Sequence, residues 1–124
     1  MAATRVIALR GATSVEHNDA DEILTATGAL LRELISANDL DPAAIISCIF
    51  TATPDLDAAF PAQAARELGL TQVPLLCAQE IPVPGSLPRV IRLLMHCYGR
   101  EGAAARHVYQ RAAAALREDL GGAQ

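Results

Sequence analysis

The chain contains no lysine and no tryptophan, and aromatic residues make up only 3% of its 124 positions. All ten basic side chains are therefore arginines, none of which can shed its proton inside a protein. Genome composition produces such a bias together with richness in alanine, so no arginine is functional merely by being one. With so few rings, the 52% apolar content comes from small side chains that let elements approach closely. That content slightly exceeds the globular average of about 45–50%, which points to some of it lying at a subunit interface. No stretch approaches the roughly 18 apolar residues of a membrane span. The opening MAATRVIALR has no long apolar core of a secretory signal. Three cysteines, an odd number without a CxxC pair, form no zinc spacing with His17, His96 and His107. RGAT lacks the glycines and lysine of a phosphate loop. A formal charge of −4 argues against nonspecific binding to nucleic acid or anionic membrane. These exclusions leave a soluble, reduced, cytoplasmic protein with no metal, expected to be one domain over residues 1–124.

Periodicity supplies the elements. RVIALRG (5–11) reads as a short strand ended by Gly11, with Val6, Ala8 and Arg10 on one face and Arg5, Ile7 and Leu9 on the other. Asn18 or Asp19 caps a helix, with Asp21 and Glu22 in its first turn and Ile23, Thr27, Leu30, Leu31, Leu34 and Ile35 at helical spacing to about Ala37. The apolar run AIISCIFT (44–51) reads as a buried strand. A short helix over 58–68 ends near Gly69, a strand covers 73–78, and the proline-punctuated IPVPGSLP (81–88) is a loop. Residues 103–122 read two ways. Alanine propensity favours helix, whereas Val108, Gln110, Ala112, Ala114 and Leu116 alternate with Tyr109, Arg111, Ala113, Ala115 and Arg117 as in a strand.

The candidate chemistry begins at LPRVIRLLMHCY (87–98), where Arg92 stands inside an apolar run. A buried guanidinium needs a partner. That partner is either an internal carboxylate such as Glu80 or the anion of a ligand; as an amphipathic helix, the stretch would instead place Arg89 and Arg92 on a solvated face. Arg10 at a strand end and Arg66 on a short helix are ordinarily surface residues, Glu80 after a strand is ordinarily a loop charge, and Tyr109 is ordinarily core. Cys77 has no Cys–His–Asn arrangement to activate it and is given no covalent role. Together, several arginines, one carboxylate and one phenol suit a small doubly charged anion that carries a hydroxyl.

Four stretches, RGATSVEHND (10–19), TATPDLDAAFPAQAARELG (51–69), VPLLCAQEIPVPGSLPRVIRLLMH (73–96) and RHVYQRAAAALREDL (106–120), resemble the monofunctional trimeric chorismate mutases of bacteria, the AroH class. The resemblance runs in order along nearly the whole chain. It implies an α+β fold, a mixed five-stranded sheet with helices on one side, three copies forming a pseudo-barrel homotrimer with active sites at the subunit interfaces. It also implies a strand over 107–117. The implied activity is the pericyclic rearrangement of chorismate to prephenate, with no cofactor. Arg10 matches an arginine that holds a substrate carboxylate. Phe60, Ala62, Gln63 and Arg66 match a wall supplied by the neighbouring chain, and Cys77 and Glu80 match positions beside the ring hydroxyl. Arg92 matches the arginine that reaches the ether oxygen, Tyr109 a phenol on a carboxylate, and Leu116 and Arg117 the pocket edge. Gln63 departs from the lysine common in the family and supplies no charge, which implies weaker steering of the anion. Two other readings are a trimeric imine deaminase of similar barrel shape, which lacks this motif series, and a catalytically silent metabolite-binding trimer.

Overall fold

A computed structural model describes residues 4–119, with side chains as far as Leu116. Five strands form one sheet in the order β3-β2-β4-β1-β5: β1 (Thr4–Ser14), β2 (Ile45–Ala52), β3 (Leu75–Gln79), β4 (Val90–Arg100) and β5 (Val108–Tyr109). The long β1 and β4 pair antiparallel from Thr4↔Arg100 to Ser14↔Val90, and β2 lies antiparallel on the other side of β4. The outer pairs, β2 with β3 and β1 with β5, are parallel, so the sheet is mixed. Two α-helices, α1 (Ala20–Ala37) and α2 (Ala62–Glu67), and two 3-10 segments, Pro42–Ala44 and Arg111–Asp119, complete the described chain.

Asp19 caps α1, its carboxylate accepting the Glu22 N–H at 2.9 Å. Glu22 in turn accepts the backbone N–H groups of Glu16 and His17, which holds its carboxyl below the usual range. The apolar stripe of α1 then meets one face of the sheet. Leu30, Leu31 and Leu34 are sealed there with Leu9, Phe50, Leu93 and Met95, while Ile23 and Ala26 join Val15, Leu56 and Ile91. Each such aliphatic side chain contributes about 1.5–3 kcal/mol on burial. Ala62 and Ala65 of α2 extend the same core.

Gly11 does not end β1, as the sequence reading expects; the strand continues through RGAT to Ser14 because β4 pairs along its whole length. The glycine serves close approach instead. A Cβ there would meet Leu30 Cδ1 at 3.1 Å and the Val108 carbonyl at 3.3 Å, crowding both α1 and β5. The helix expected over 58–68 is confined to Ala62–Glu67, with Gly69 at φ 95° beyond it. Residues 90–100 are a strand and not an amphipathic helix.

The C-terminal stretch divides. The strand that the resemblance implies over 107–117 is only Val108–Tyr109, and the helical tendency of the alanine run prevails from Arg111 as a 3-10 helix. The break is made by contacts to β1 together with one backbone turn. Gln110 N–H closes onto the Ala12 carbonyl, Arg111 adopts φ 55°, and Ala112 N–H is accepted by the Ser14 hydroxyl at 3.0 Å. Among the described residues no helix is long and apolar enough to cross a membrane.

Candidate active site

The sheet has two unlike faces. Residues that alternate with the core positions point away from α1; neither α-helix covers them, and the 3-10 segment Arg111–Asp119 packs against β1 at the Ser14 end of this face. One row of these residues crosses all five strands: Tyr109 on β5, Ala12 on β1, Arg92 on β4, Thr51 on β2 and Ala78 on β3. Arg92 stands in the central strand between two small neighbours, Ala12 and Thr51, which leave room for its long side chain. Arg10 shares this face two residues before Ala12, diagonal to Arg92 across the β1–β4 pair.

Glu80 follows β3 and reaches the same row. Its N–H donates to the Ala52 carbonyl at 2.9 Å, extending the parallel ladder by one step. Its Oε2 accepts the Thr51 hydroxyl at 2.6 Å and lies 3.0 Å from Arg92 Nε. Arg92 is thus paired with the internal carboxylate that the sequence suggested, yet the pair lies on the uncovered face. The contact is close without being aligned: Arg92 Nε is buried and has no hydrogen bond, so its N–H is not aimed at the carboxylate. The Tyr109 hydroxyl is a second buried group with no bond among the described residues. A buried donor left unsatisfied costs about 1–3 kcal/mol. Thr13 Oγ1 is the third such atom, but it faces the sealed side.

Arg10 is tied to β5 through its backbone. Its N–H donates to His107 Nδ1 at 3.0 Å. Partial burial of the ring, then the Arg10 charge, lower the His107 pKa and favour the neutral form. The preceding residue is clamped too: the Asn38 side chain donates to the Arg106 carbonyl at 2.9 Å and accepts its N–H at 2.8 Å. His107 and Asn38 carry no role in the sequence reading. His107 stands one residue from Val108 inside the quoted RHVY, a signal that was available there.

The wall residues lie elsewhere. Phe60, 71% exposed, precedes α2, and Gln63 and Arg66 occupy the outer side of that helix. Gln63 Nε2 donates to Glu67 at 3.1 Å. Ala62 is packed in the core and offers no side-chain surface. α2 packs on α1 and β3, so one chain does not bring these residues to the Arg92 row. Cys77 also departs from the Arg92 group. It lies opposite Phe50 on the helix-covered side and packs against the main core. It shares with Phe60, Gln63 and Ala78 a groove of about 660 Å³ along the free edge of β3. Leu116 is half-buried on the final 3-10 helix, which the Ser14–Ala112 bond anchors, and Arg117 lies outside the described side chains. Among the described residues no group of three or more His, Cys, Asp or Glu side chains is placed to hold a metal ion.

The mixed five-stranded sheet with α1 and α2 on one face is the fold of a class of isomerases. Residues 6–120 match the family described as Chorismate mutase type I, and the chain belongs to that family. It is 48% identical to the Chorismate mutase AroH of Thermus thermophilus over 118 residues, 94% of this chain and 97% of that protein. It is 42% identical to the Chorismate mutase AroH of Bacillus subtilis over 114 residues, 90% of each. A solved chorismate mutase from Clostridium thermocellum superposes with a TM-score of 0.86 at 50% identity, covering 89% of this chain and 99% of that one.

Proposed function

We propose that the uncovered sheet face is the larger half of an active site that rearranges chorismate to prephenate. The chain is a chorismate mutase by family, an isomerase. The substrate is a dianion with a ring hydroxyl. The reaction breaks a carbon–oxygen bond and makes a carbon–carbon bond within one folded conformer. The observation that carries the assignment is the pair of buried, unsatisfied donors, Arg92 Nε and Tyr109 OH, on one row of the sheet.

Two physical contributions follow. Arg10 and Tyr109 hold the carboxylates and so fix the enolpyruvyl arm over the ring, replacing a search through conformers by a bound one. Arg92 faces the ether oxygen, which gains negative charge as its bond stretches, and binds the transition state better than the ground state. A water-poor, apolar setting strengthens that interaction. Glu80, held by Thr51, accepts the ring hydroxyl and keeps the guanidinium in register. Gln63, lacking a charge, weakens capture of the dianion more than the chemical step.

The second half of the site comes from another copy of the chain. Val6, Leu76 and Tyr98 stand 49%, 60% and 54% exposed on the face that carries Arg92. An apolar sheet face of this kind calls for a covering partner. A homotrimer closes it and brings Phe60 and Arg66 of a neighbour to the Arg92 row. The enzyme acts as one domain over 1–124 in the cytoplasm, where its thiols stay reduced; Cys48, Cys77 and Cys97 are free.

The experiment is ultraviolet decay of chorismate with the purified chain, with prephenate identified as product and imine hydrolysis assayed beside it. Mixing inactive Arg92→Ala and Arg66→Ala chains tests the shared site: subunit exchange regenerates some intact sites and restores turnover. No recovery after verified exchange places both residues in one chain's site. A silent trimer would bind chorismate without consuming it.

A further inference from the structure

β5 is two residues long, yet it carries Tyr109, and few contacts hold it to β1. Behind it, Asn38 clamps the Arg106 backbone. Ahead of it, Gln110 N–H bonds the Ala12 carbonyl, and its side chain donates to Glu33 at 2.7 Å. Between these ties stands the bond from Arg10 N–H to His107 Nδ1, which joins the residue before β5 to the strand position of Arg10. Of these ties it alone involves an acceptor that titrates near neutrality. A backbone N–H can only donate, so Nδ1 must carry a lone pair and the ring proton resides on Nε2.

We infer that His107 is a positioning residue for substrate binding: its neutral ring latches β5 to β1, holding Tyr109 and Arg10 in one register, and protonation of Nδ1 releases the latch. The imidazolium sets an N–H against the Arg10 N–H, two donors facing each other, and places a second positive charge beside the Arg10 guanidinium. The charged residues on the segments joined here are Arg10 on β1, Arg106 and Arg111 on either side of β5, and Glu33 on α1, which is bonded to Gln110. Arg10 is the one whose charge acts on the ring, in the same direction as burial. The sign follows. The folded chain holds this proton less tightly than the unfolded chain, so the native arrangement is intact above the ordinary histidine value of about 6.5 and is lost progressively as pH falls below it.

The inference rests on Arg10 and Tyr109 touching substrate, and the test separates the two ideas. Chorismate turnover is followed from pH 5 to 8 for the wild type, His107→Asn and His107→Ala, together with imidazole nitrogen spectra of the wild type. Asparagine places Oδ1 the same number of bonds from Cβ as Nδ1, accepts the same N–H and does not titrate. Wild-type KM should rise on the acid side while kcat changes less. The Arg10 amide resonance should move with the His107 titration, with the proton on Nε2 at pH 7.5. His107→Asn should keep its KM at pH 7.5 and lose that acid limb. His107→Ala should hold KM at every pH about fivefold above the wild-type value at pH 7.5, the size of one neutral hydrogen bond. An acid limb that persists in His107→Asn, or a His107→Asn KM as poor as that of His107→Ala, overturns the latch. If instead Arg10→Ala and Tyr109→Phe leave KM unchanged, the site assignment fails, and a spectroscopic latch without an effect on KM overturns its role in binding.

Discussion

The two faces of the sheet are made by the same strands and differ in almost everything else. On the α1 side, Leu9, Leu93, Met95 and Phe50 are fully sealed by one long helix. On the other side, every second residue of those strands contributes instead Arg10, Arg92, Thr51 and exposed apolar groups such as Val6 and Tyr98. The period of two puts a fold-holding surface and the surface of the proposed site back to back, one peptide unit apart. A one-residue slip of β4 would exchange them, which is why its pairing with β1 over eleven residues matters. Stability and chemistry should therefore respond to different residues of the same strand pairs.

The sharpest break of this comparison is Phe50→Ala on the sealed side. It should cost about 3–5 kcal/mol of stability, read from urea unfolding, while turnover per folded molecule stays near the wild type. Next in size is Glu80→Gln on the open side. The amide still accepts from Thr51 but no longer pairs with Arg92 as an ion. Hydrogen bonds to charged groups contribute about 1.5–3 kcal/mol, so turnover should fall at least tenfold with little change in the unfolding midpoint. Equal rates would show that charge at this position is irrelevant. The smallest effect concerns the thiols. Burial, and then the neighbouring Cys97, push the Cys48 pKa up to about 12, and burial raises that of Cys97. Both should remain unmodified by iodoacetamide at pH 8 in the folded protein and react once urea exposes them. Rapid labelling of Cys48 without unfolding would mean that the α1 side is not sealed.

The legible parts of the sequence were those written in local periodicity. The α1 stripe and the strand run around Ile49 follow from spacing alone, and Asn18 or Asp19 announces the cap, whereas the run around Leu93 stands between a strand and an amphipathic helix. Gly11 misleads because a glycine that allows Leu30 to approach looks the same as one that ends a strand. Val108–Tyr109 and the following 3-10 helix were hidden because an alanine run permits either form, and the decision comes from Ser14 and Ala12 nearly a hundred residues earlier. Arg92 was legible as an anomaly, a charge in an apolar run, and Glu80 as one possible partner. Single residues leave the pair inert or functional alike, and the proposal that it is functional rests on the family motifs. Cys77 lies apart from the Arg92 row, since strand parity puts its partly buried side chain on the α1 side, against the core and in the groove beside Phe60 and Gln63.

The central claim is that the Arg92 guanidinium acts on the transition state and not on the fold. The direct measurement is kcat of Arg92→Ala for chorismate, taken with its thermal unfolding midpoint. Loss of one such preorganised donor should raise the barrier by about 3–4 kcal/mol, roughly a 10²–10³-fold fall in kcat, with a midpoint close to the wild type. Wild-type turnover in Arg92→Ala, or a loss of activity fully explained by unfolding, would contradict it.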